Sequence, residues 1–270
     1  MNVWDYQSAS RNIDKYMIDK VTCPFCNVSL KKDILVDGKK MFSIKQCLQC
    51  GWWTASNFEK VGFKMKFRED IVDVSDGYGV LKELDLADIT LPVSEITDYL
   101  TVKFDKIYGI APRKFEEVVG SVFKNLGYRA VVTNYSGDKG IDVILHDSAS
   151  NMIGVQVKRY NDKIQAAQIR ELTGSLKLGD YTKGIFVTTS DFTQGAKTTS
   201  ELSNIKGIPI ELMNADRFYD ALKLSQRAVD RPVTWETAKT YRYCMHFTNL
   251  QGTLDFQDGT FGETPSYDSE

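Results

Sequence analysis

The 270-residue sequence predicts an α/β protein in two domains: a three-layer domain with a central mixed sheet, preceded by a small zinc ribbon. Three observations predict this. Two CxxC pairs lie near the start, and a strongly amphipathic helix opens at residue 111. Beyond that helix, apolar stretches of strand length alternate with stretches of helical period.

Cys23 and Cys26 in CPFC are separated by twenty residues from Cys47 and Cys50 in CLQC. Four thiolates at this spacing close on one tetrahedral zinc. Between them ILVDGKKMFSIKQ alternates and carries Asp37-Gly38, a pair suited to a tight hairpin turn. A CxxC redox centre is the competing reading, but it normally needs one such motif ahead of a helix rather than two. The fifth cysteine, Cys244, reads as a small half-buried residue. After the second knuckle, Trp52, Trp53 and Phe58 interleave with Lys60, Lys64, Lys66 and Arg68. Such a surface can stack bases and contact phosphates. A small zinc domain also uses aromatics simply to complete a thin core.

Residues 1–60 are therefore expected as the ribbon module. Residues 61–110 read as a connector with short strands and a helix, because Ile71 to Asp88 is acidic and glycine-interrupted while Val93 to Ile107 has helical apolar spacing after Pro92. Residues 111–225 form the α/β domain. Residues 226–270 read as a polar tail, with Trp235, Tyr241 and Phe247 in the part able to pack.

The α/β domain opens at APRKFEEVVGSVFKNLGY, where Pro112 suits the first helical turn and Gly127 the position just past the last. At about 100° per residue, Phe115, Val118, Val119, Val122, Phe123 and Leu126 fall on one stripe. Glu116 lies at its edge and faces inward, whereas Glu117 lies outside it. Strands then follow at 129–133, 140–146 and 152–160, a helix at 164–178, a strand at 184–188, a helix at 192–202, a strand at 208–212 and a helix at 215–224.

Within this series the stretch YSGDKGIDVILHDSASNMIGVQVKRY places polar residues inside apolar strands. Asp142 sits in one. Gln156 and Lys158 share one face of the next, opposite Val155 and Val157. An acid, a second oxygen ligand and a lysine two positions on, carried by paired strands, form the arrangement a magnesium-dependent nuclease needs. A buried Asp142–Lys158 salt bridge is the bland alternative, but two desolvated charges are a costly way to stabilise a core.

Composition sets limits on the function. With 42% hydrophobic and 26% charged residues and no apolar run of about 18, the chain is expected to have no membrane role. Its N-terminus has no apolar signal core, so a cytoplasmic protein with reduced cysteines is expected. A net charge of −2 requires any affinity for nucleic acid to come from a local patch. Lys139, Arg159, Lys163, Arg170 and Lys177 lie in or near the site segments and can supply it. His146 and His246 are isolated and receive no role. No GxxxxGK[ST] loop is present, so the chain alone is not expected to hydrolyse ATP.

FEEVV at 115–119, LGY at 126–128, GDKGIDVIL at 137–145, GVQVKRY at 154–160 and GIFVTTSDFTQGA at 184–196 together resemble the Mrr-type catalytic domain of the restriction-endonuclease-like superfamily, the PD-(D/E)xK nucleases. The resemblance covers about residues 111–224. It implies a restriction-endonuclease-like fold with Glu116, Asp142, Gln156 and Lys158 as catalytic residues. Gln156 replaces the superfamily's commoner acid, as is typical of the Mrr branch. Asp142 is the principal Mg²⁺ ligand on this reading, completed by the Gln156 carbonyl or adjoining backbone, and Asp138 stands behind it. Glu116 acts directly or through water, and Lys158 orients the attacking water.

The resemblance further implies a Mg²⁺-dependent DNA endonuclease of type IV-like restriction, acting in bacterial defence on foreign or modified DNA. DNA is the expected partner, with a homodimer on DNA because one site cuts one strand, and a further subunit of a defence system is possible. The zinc ribbon is the candidate recognition module. The alternative is a noncatalytic zinc-ribbon DNA-binding or regulatory protein that keeps a nuclease fold.

Overall fold

The computed structural model describes residues 3–9, 14–38, 40–61, 71–133 and 140–241. These divide into two compact units, Val3–Lys82 with the stretch from Arg231, and Glu83–Asp230. Lys64, Lys66, Arg68, Asp138, Lys139, Cys244, His246 and Phe247 lie outside the described residues.

The first unit is an antiparallel sheet ordered β1-β5-β4-β3-β2. Its strands are β1 (Trp4–Ser8), β2 (Lys31–Asp37), β3 (Lys40–Gln46), β4 (Trp53–Val61) and β5 (Ile71–Leu81), with a single helical turn, α1 (Lys15–Ile18), after β1. The hairpin expected between the knuckles is β2–β3. Asp37 pairs with Lys40, so Gly38, at φ +57°, is the first turn residue and Asp37 the last of its strand.

The 61–110 stretch is not simply a connector. Residues 71–81 pair along their length with β4 and with β1, so β5 is interior to the sheet. Its glycines, which made it read as a linker, give room to aromatic rings: a Cβ on Gly77 would lie 2.2 Å from the Tyr6 ring and one on Gly79 3.1 Å from Trp53 Nε1. The tail also begins inside a fold. Residues 235–241 are helical, and the Tyr241 ring lies 4.8 Å from that of Trp53 and 6.0 Å from that of Phe42.

The second unit has the three-layer architecture read from the sequence. Its mixed sheet is ordered β10-β9-β8-β7-β6, from β6 (Arg129–Val132), β7 (Val143–His146), β8 (Met152–Lys158), β9 (Lys183–Thr188) and β10 (Ile210–Met213). β6–β7–β8 run antiparallel, and β8–β9–β10 run parallel. One face is covered by α2 (Val93–Val102), α3 (Pro112–Asn125) and α6 (Ala215–Arg227), the other by α4 (Ala166–Leu178) and α5 (Gln194–Ile205). α2 and the 3-10 helix Phe104–Gly109 that follows it, assigned in sequence to the connector, thus belong to this unit. Tyr219 in α6 donates to the Thr101 carbonyl at 3.0 Å and stacks on Phe104.

α3 starts with Pro112 at its first position and ends at Asn125, with Gly127 at φ +98° just beyond. Its predicted stripe is buried from Phe115 to Phe123, and Phe115 meets Phe218 edge-on at 5.4 Å. On the opposite face Ile141, Ile164, Ile169, Leu172, Leu176, Phe186 and Phe192 form a core cluster. Both faces of β8 are therefore covered, which explains its nearly unbroken burial from Ile153 to Val157.

Gly154 and Gly184, neighbours on β8 and β9, admit Leu176 against the sheet. A Cβ on Gly184 would lie 2.4 Å from Leu176 Cδ1 and one on Gly154 2.9 Å from Leu176 Cδ2. Gly184→Ala should therefore cost about 1–3 kcal/mol by overpacking. It should cost measurably less in a Leu176→Ala background, where the space has been vacated. Urea unfolding of the four proteins checks this, and simple additivity would contradict it.

Candidate active site

The site is built where the antiparallel and parallel parts of the sheet meet. β7 pairs with β8 so that Val143 lies opposite Val155. The Asp142 N–H also donates to the Val155 carbonyl, at 2.8 Å, so two residues oppose one and the strand carries a bulge at Asp142. The bulge turns the aspartate onto the neighbouring strand. Its Oδ2 accepts the N–H of Val157, the residue between Gln156 and Lys158, at 2.6 Å. The carboxylate predicted as the principal metal ligand is thus fixed to the strand that carries the other two predicted residues.

Gln156 is 4% exposed, and among the described residues its Oε1 has no hydrogen-bond partner. A buried amide oxygen left without a partner costs free energy, and a hard cation satisfies it as well as a donor does. The amide lies on the α4 side of the sheet beneath Gly140, at φ +83°, where a Cβ would stand 3.3 Å from Gln156 Nε2 and 3.5 Å from Ser175 Oγ. Gly140 therefore does more than punctuate a turn, since a side chain there would press on the amide. Lys158, half-buried at the C-terminal end of β8, shares the face of Gln156. Among the described residues it has no carboxylate within ion-pair distance, so the Asp142–Lys158 salt bridge of the bland reading is not formed.

Glu116 reaches Asp142 from the other face through intermediates. Its side chain is 16% exposed, and Oε2 accepts from Arg113 Nη1 at 2.8 Å. The same nitrogen donates to the Thr133 carbonyl at 2.6 Å. Thr133 in turn donates from its backbone N–H to the Asp142 carbonyl at 3.0 Å and from Oγ1 to the Ile141 carbonyl at 2.8 Å. The structure thus links Glu116, Asp142 and the Gln156–Lys158 strand into one bonded series, with Asp142 as the junction. Glu117 pairs with Lys114 at 2.9 Å and takes no part. Sequence reasoning missed Arg113 and Thr133. Arg113 was discoverable as the i−3 neighbour of Glu116.

The rim beyond Lys158 is also ordered by hydrogen bonds. Arg159 Nη1 donates to the Tyr108 carbonyl, and Tyr108 Oη donates to Thr189 O at 2.7 Å. Lys163 lies 3.9 Å from Asp191, and Arg170 and Lys177 are exposed.

In the first unit the four predicted cysteine sulfurs come together, all within 4.8 Å of one another. Cys23 and Cys50 Sγ are 3.6 Å apart, close to the roughly 3.8 Å edge of a tetrahedron with 2.3 Å metal–sulfur bonds. Each knuckle closes on a left-handed residue, Asn27 at φ +53° and Gly51 at φ +74°. Asn27 N donates to Cys23 O, and Gly51 N donates to Cys47 O. Hydrogen bonds with Cys23, Cys26 and Cys50 hold the Cys47 thiol well below the ordinary thiol range, while those to Cys23 and Cys47 push Cys26 up. The donor set of the four sulfurs fits a zinc ribbon. Trp52 and Trp53 are fully buried beside it, with Trp52 Nε1 donating to Gly79 O at 2.8 Å, so they complete the core and present no stacking surface.

Residues 107–222 match the family described as Mrr_cat, restriction endonuclease. The chain is 26% identical over 154 residues to the type IV methyl-directed restriction enzyme EcoKMrr of Escherichia coli strain K12, covering 52% of this chain and 51% of that protein. It therefore spans about half the length of that curated relative. A solved structure, the ATP-dependent type ISP restriction-modification enzyme LlaBIII bound to DNA, aligns over 44% of this chain and 8% of that one, with 19% identity and a TM-score of 0.31.

One metal ion per chain is expected from the cysteine cluster. Cys47→Ser should lower metal content and the stability of the first unit, with little effect on the unfolding of Glu83–Asp230. Metal analysis of anaerobically purified protein, together with denaturation followed in each unit, checks this. Full metal retention by the variant would contradict it.

Proposed function

We propose that the chain is a Mg²⁺-dependent DNA endonuclease, a type IV-like restriction enzyme directed against foreign or modified DNA, with zinc in its cysteine cluster. The observation that carries this reading is the Asp142 carboxylate turned by a bulge onto β8, beside the unpartnered, buried Gln156 Oε1. The nuclease-domain match supports the same conclusion. Asp142 and Gln156, with the adjoining β8 backbone, would hold the cation. When bound, Mg²⁺ polarises the scissile phosphate and lowers the pKa of a bound water.

The chain's own residues supply the rest. Lys158, free of a carboxylate partner among the described residues, offers its ammonium to the attacking water and to charge growing on the phosphate. Glu116, held by Arg113 on the α3 side, acts on that cation directly or through water. Arg159 and Lys163 contribute local positive potential that a net charge of −2 does not. One such site cuts one strand, so a double-strand break calls for two copies on DNA.

Asp142→Ala and Lys158→Ala separate catalysis from structure. Removing Asp142 takes negative charge from a cation pocket but leaves the Val157 N–H without its acceptor, so any loss of stability should stay within about 1–3 kcal/mol, duplex affinity in Ca²⁺ should stay within about threefold, and Mg²⁺-dependent cleavage should disappear. Lys158→Ala should likewise remain folded and lose cleavage. If instead Asp142 only satisfies the Val157 N–H and Lys158 is only a surface charge, both variants should keep Mg²⁺-dependent cleavage. Folded variants that cut at the wild-type rate would refute the assigned site.

A further inference from the structure

Arg113 bridges two elements near the site, and the catalytic assignment does not use it. Arg113, in the first turn of α3, is about 29% exposed. Both partners of its Nη1 are acceptors held in place by other elements: Glu116 Oε2 at 2.8 Å on its own helix, and the Thr133 carbonyl at 2.6 Å at the end of β6. A guanidinium Nη carries two hydrogens, so one nitrogen satisfies both acceptors and sets the angle between them. Thr133 is itself tied to Asp142 by its N–H and to Ile141 by its hydroxyl. Arg113 therefore stands in a bonded path that joins the helix carboxylate to the bulge carrying Asp142.

We propose that Arg113 is a positioning residue that acts through Glu116, holding the helix carboxylate at a fixed distance from the Asp142 bulge so that the two acids serve one cation. This inference rests on the nuclease reading above. Its sign is what makes it testable. Arg113 is a positive charge beside a cation site, so if it acted through charge alone, its removal would tighten divalent-cation binding. If it acts by position, its removal releases Glu116 and weakens binding. Partners that orient metal ligands typically matter by about 10- to 100-fold in affinity or activity.

The experiment uses the full chain and a double-mutant cycle of Arg113→Ala with Glu116→Gln, together with Arg113→Lys. Three readouts are taken: calorimetric Mn²⁺ affinity without DNA, duplex affinity in Ca²⁺, and kcat and KM for cleavage in Mg²⁺. The expected result is that Arg113→Ala weakens Mn²⁺ binding and lowers kcat about 10- to 100-fold, with KM and duplex affinity within about twofold. Arg113→Lys should recover part of the loss, and Arg113→Ala should add nothing in the Glu116→Gln background.

Tighter or unchanged Mn²⁺ binding in Arg113→Ala would overturn the proposal. So would a loss confined to KM, which would make Arg113 a phosphate contact, or a full additional loss in the Glu116→Gln background. If Arg113→Ala does not fold, the Arg113→Lys and Glu116→Gln pair carries the same cycle. Asp142→Ala serves as the reference. If it still cleaves, the nuclease reading itself fails; if it is inactive while Arg113→Ala behaves as wild type, only the positioning role fails.

Discussion

The hydrogen bond from the Val157 N–H to Asp142 Oδ2 is the contact on which the site depends. In an unbroken antiparallel ladder a backbone N–H meets a backbone carbonyl. Here the extra residue at Asp142 displaces that carbonyl, and the side chain takes its place. An otherwise apolar sheet junction thereby acquires a carboxylate whose orientation is set by the backbone of its neighbour and needs no mobile partner. The bulge also stops β7 at Val143, so that among the described residues the ladder on that side ends at Val155, short of Lys158. A defect in pairing and a place for chemistry are thus one feature.

The two faces of the sheet contribute differently. Beneath the α4 and α5 layer the strands carry Gly154 and Gly184, and Leu176 packs directly against them. Gln156 is enclosed in this dense environment, with Gly140 over its amide. Replacing the commoner acid by glutamine suits that burial, because a neutral amide avoids the cost of an enclosed second carboxylate while keeping an oxygen for a cation. On the α3 face the charge is paired: Glu116 with Arg113, and Glu117 with Lys114. Gln156, being neutral, adds no charge to the neighbourhood of Asp142.

Much of this was legible because it rests on local rules. Pro112 and Gly127 bounded α3, its stripe identified the buried face, and the period-two runs located the strands. The cysteine spacing foretold a cluster that the hairpin β2–β3 brings together. What was not legible depends on partners distant in sequence. Residues 71–81 looked like a linker because Gly77 and Gly79 break the apolar pattern, yet those glycines exist to admit Tyr6 and Trp53 from other strands. The bulge at Asp142 leaves no composition signal, since alternation through IDVIL reads the same with or without an extra residue. Trp52 and Trp53 were ambiguous for the same reason, and burial resolved them as core. Arg113 was overlooked because its meaning comes from Thr133, twenty residues away.

The central claim is that Asp142 and Gln156 share a divalent cation. Anomalous scattering from crystals soaked in Mn²⁺ tests it without requiring a substrate, a target sequence or an activating partner. The expected result is one strong peak within coordination distance of an Asp142 carboxylate oxygen and Gln156 Oε1, about 2.0–2.4 Å from each, and its loss in Asp142→Ala. A fully occupied Mn²⁺ elsewhere in the Glu83–Asp230 unit, with Gln156 Oε1 still unligated, would contradict it.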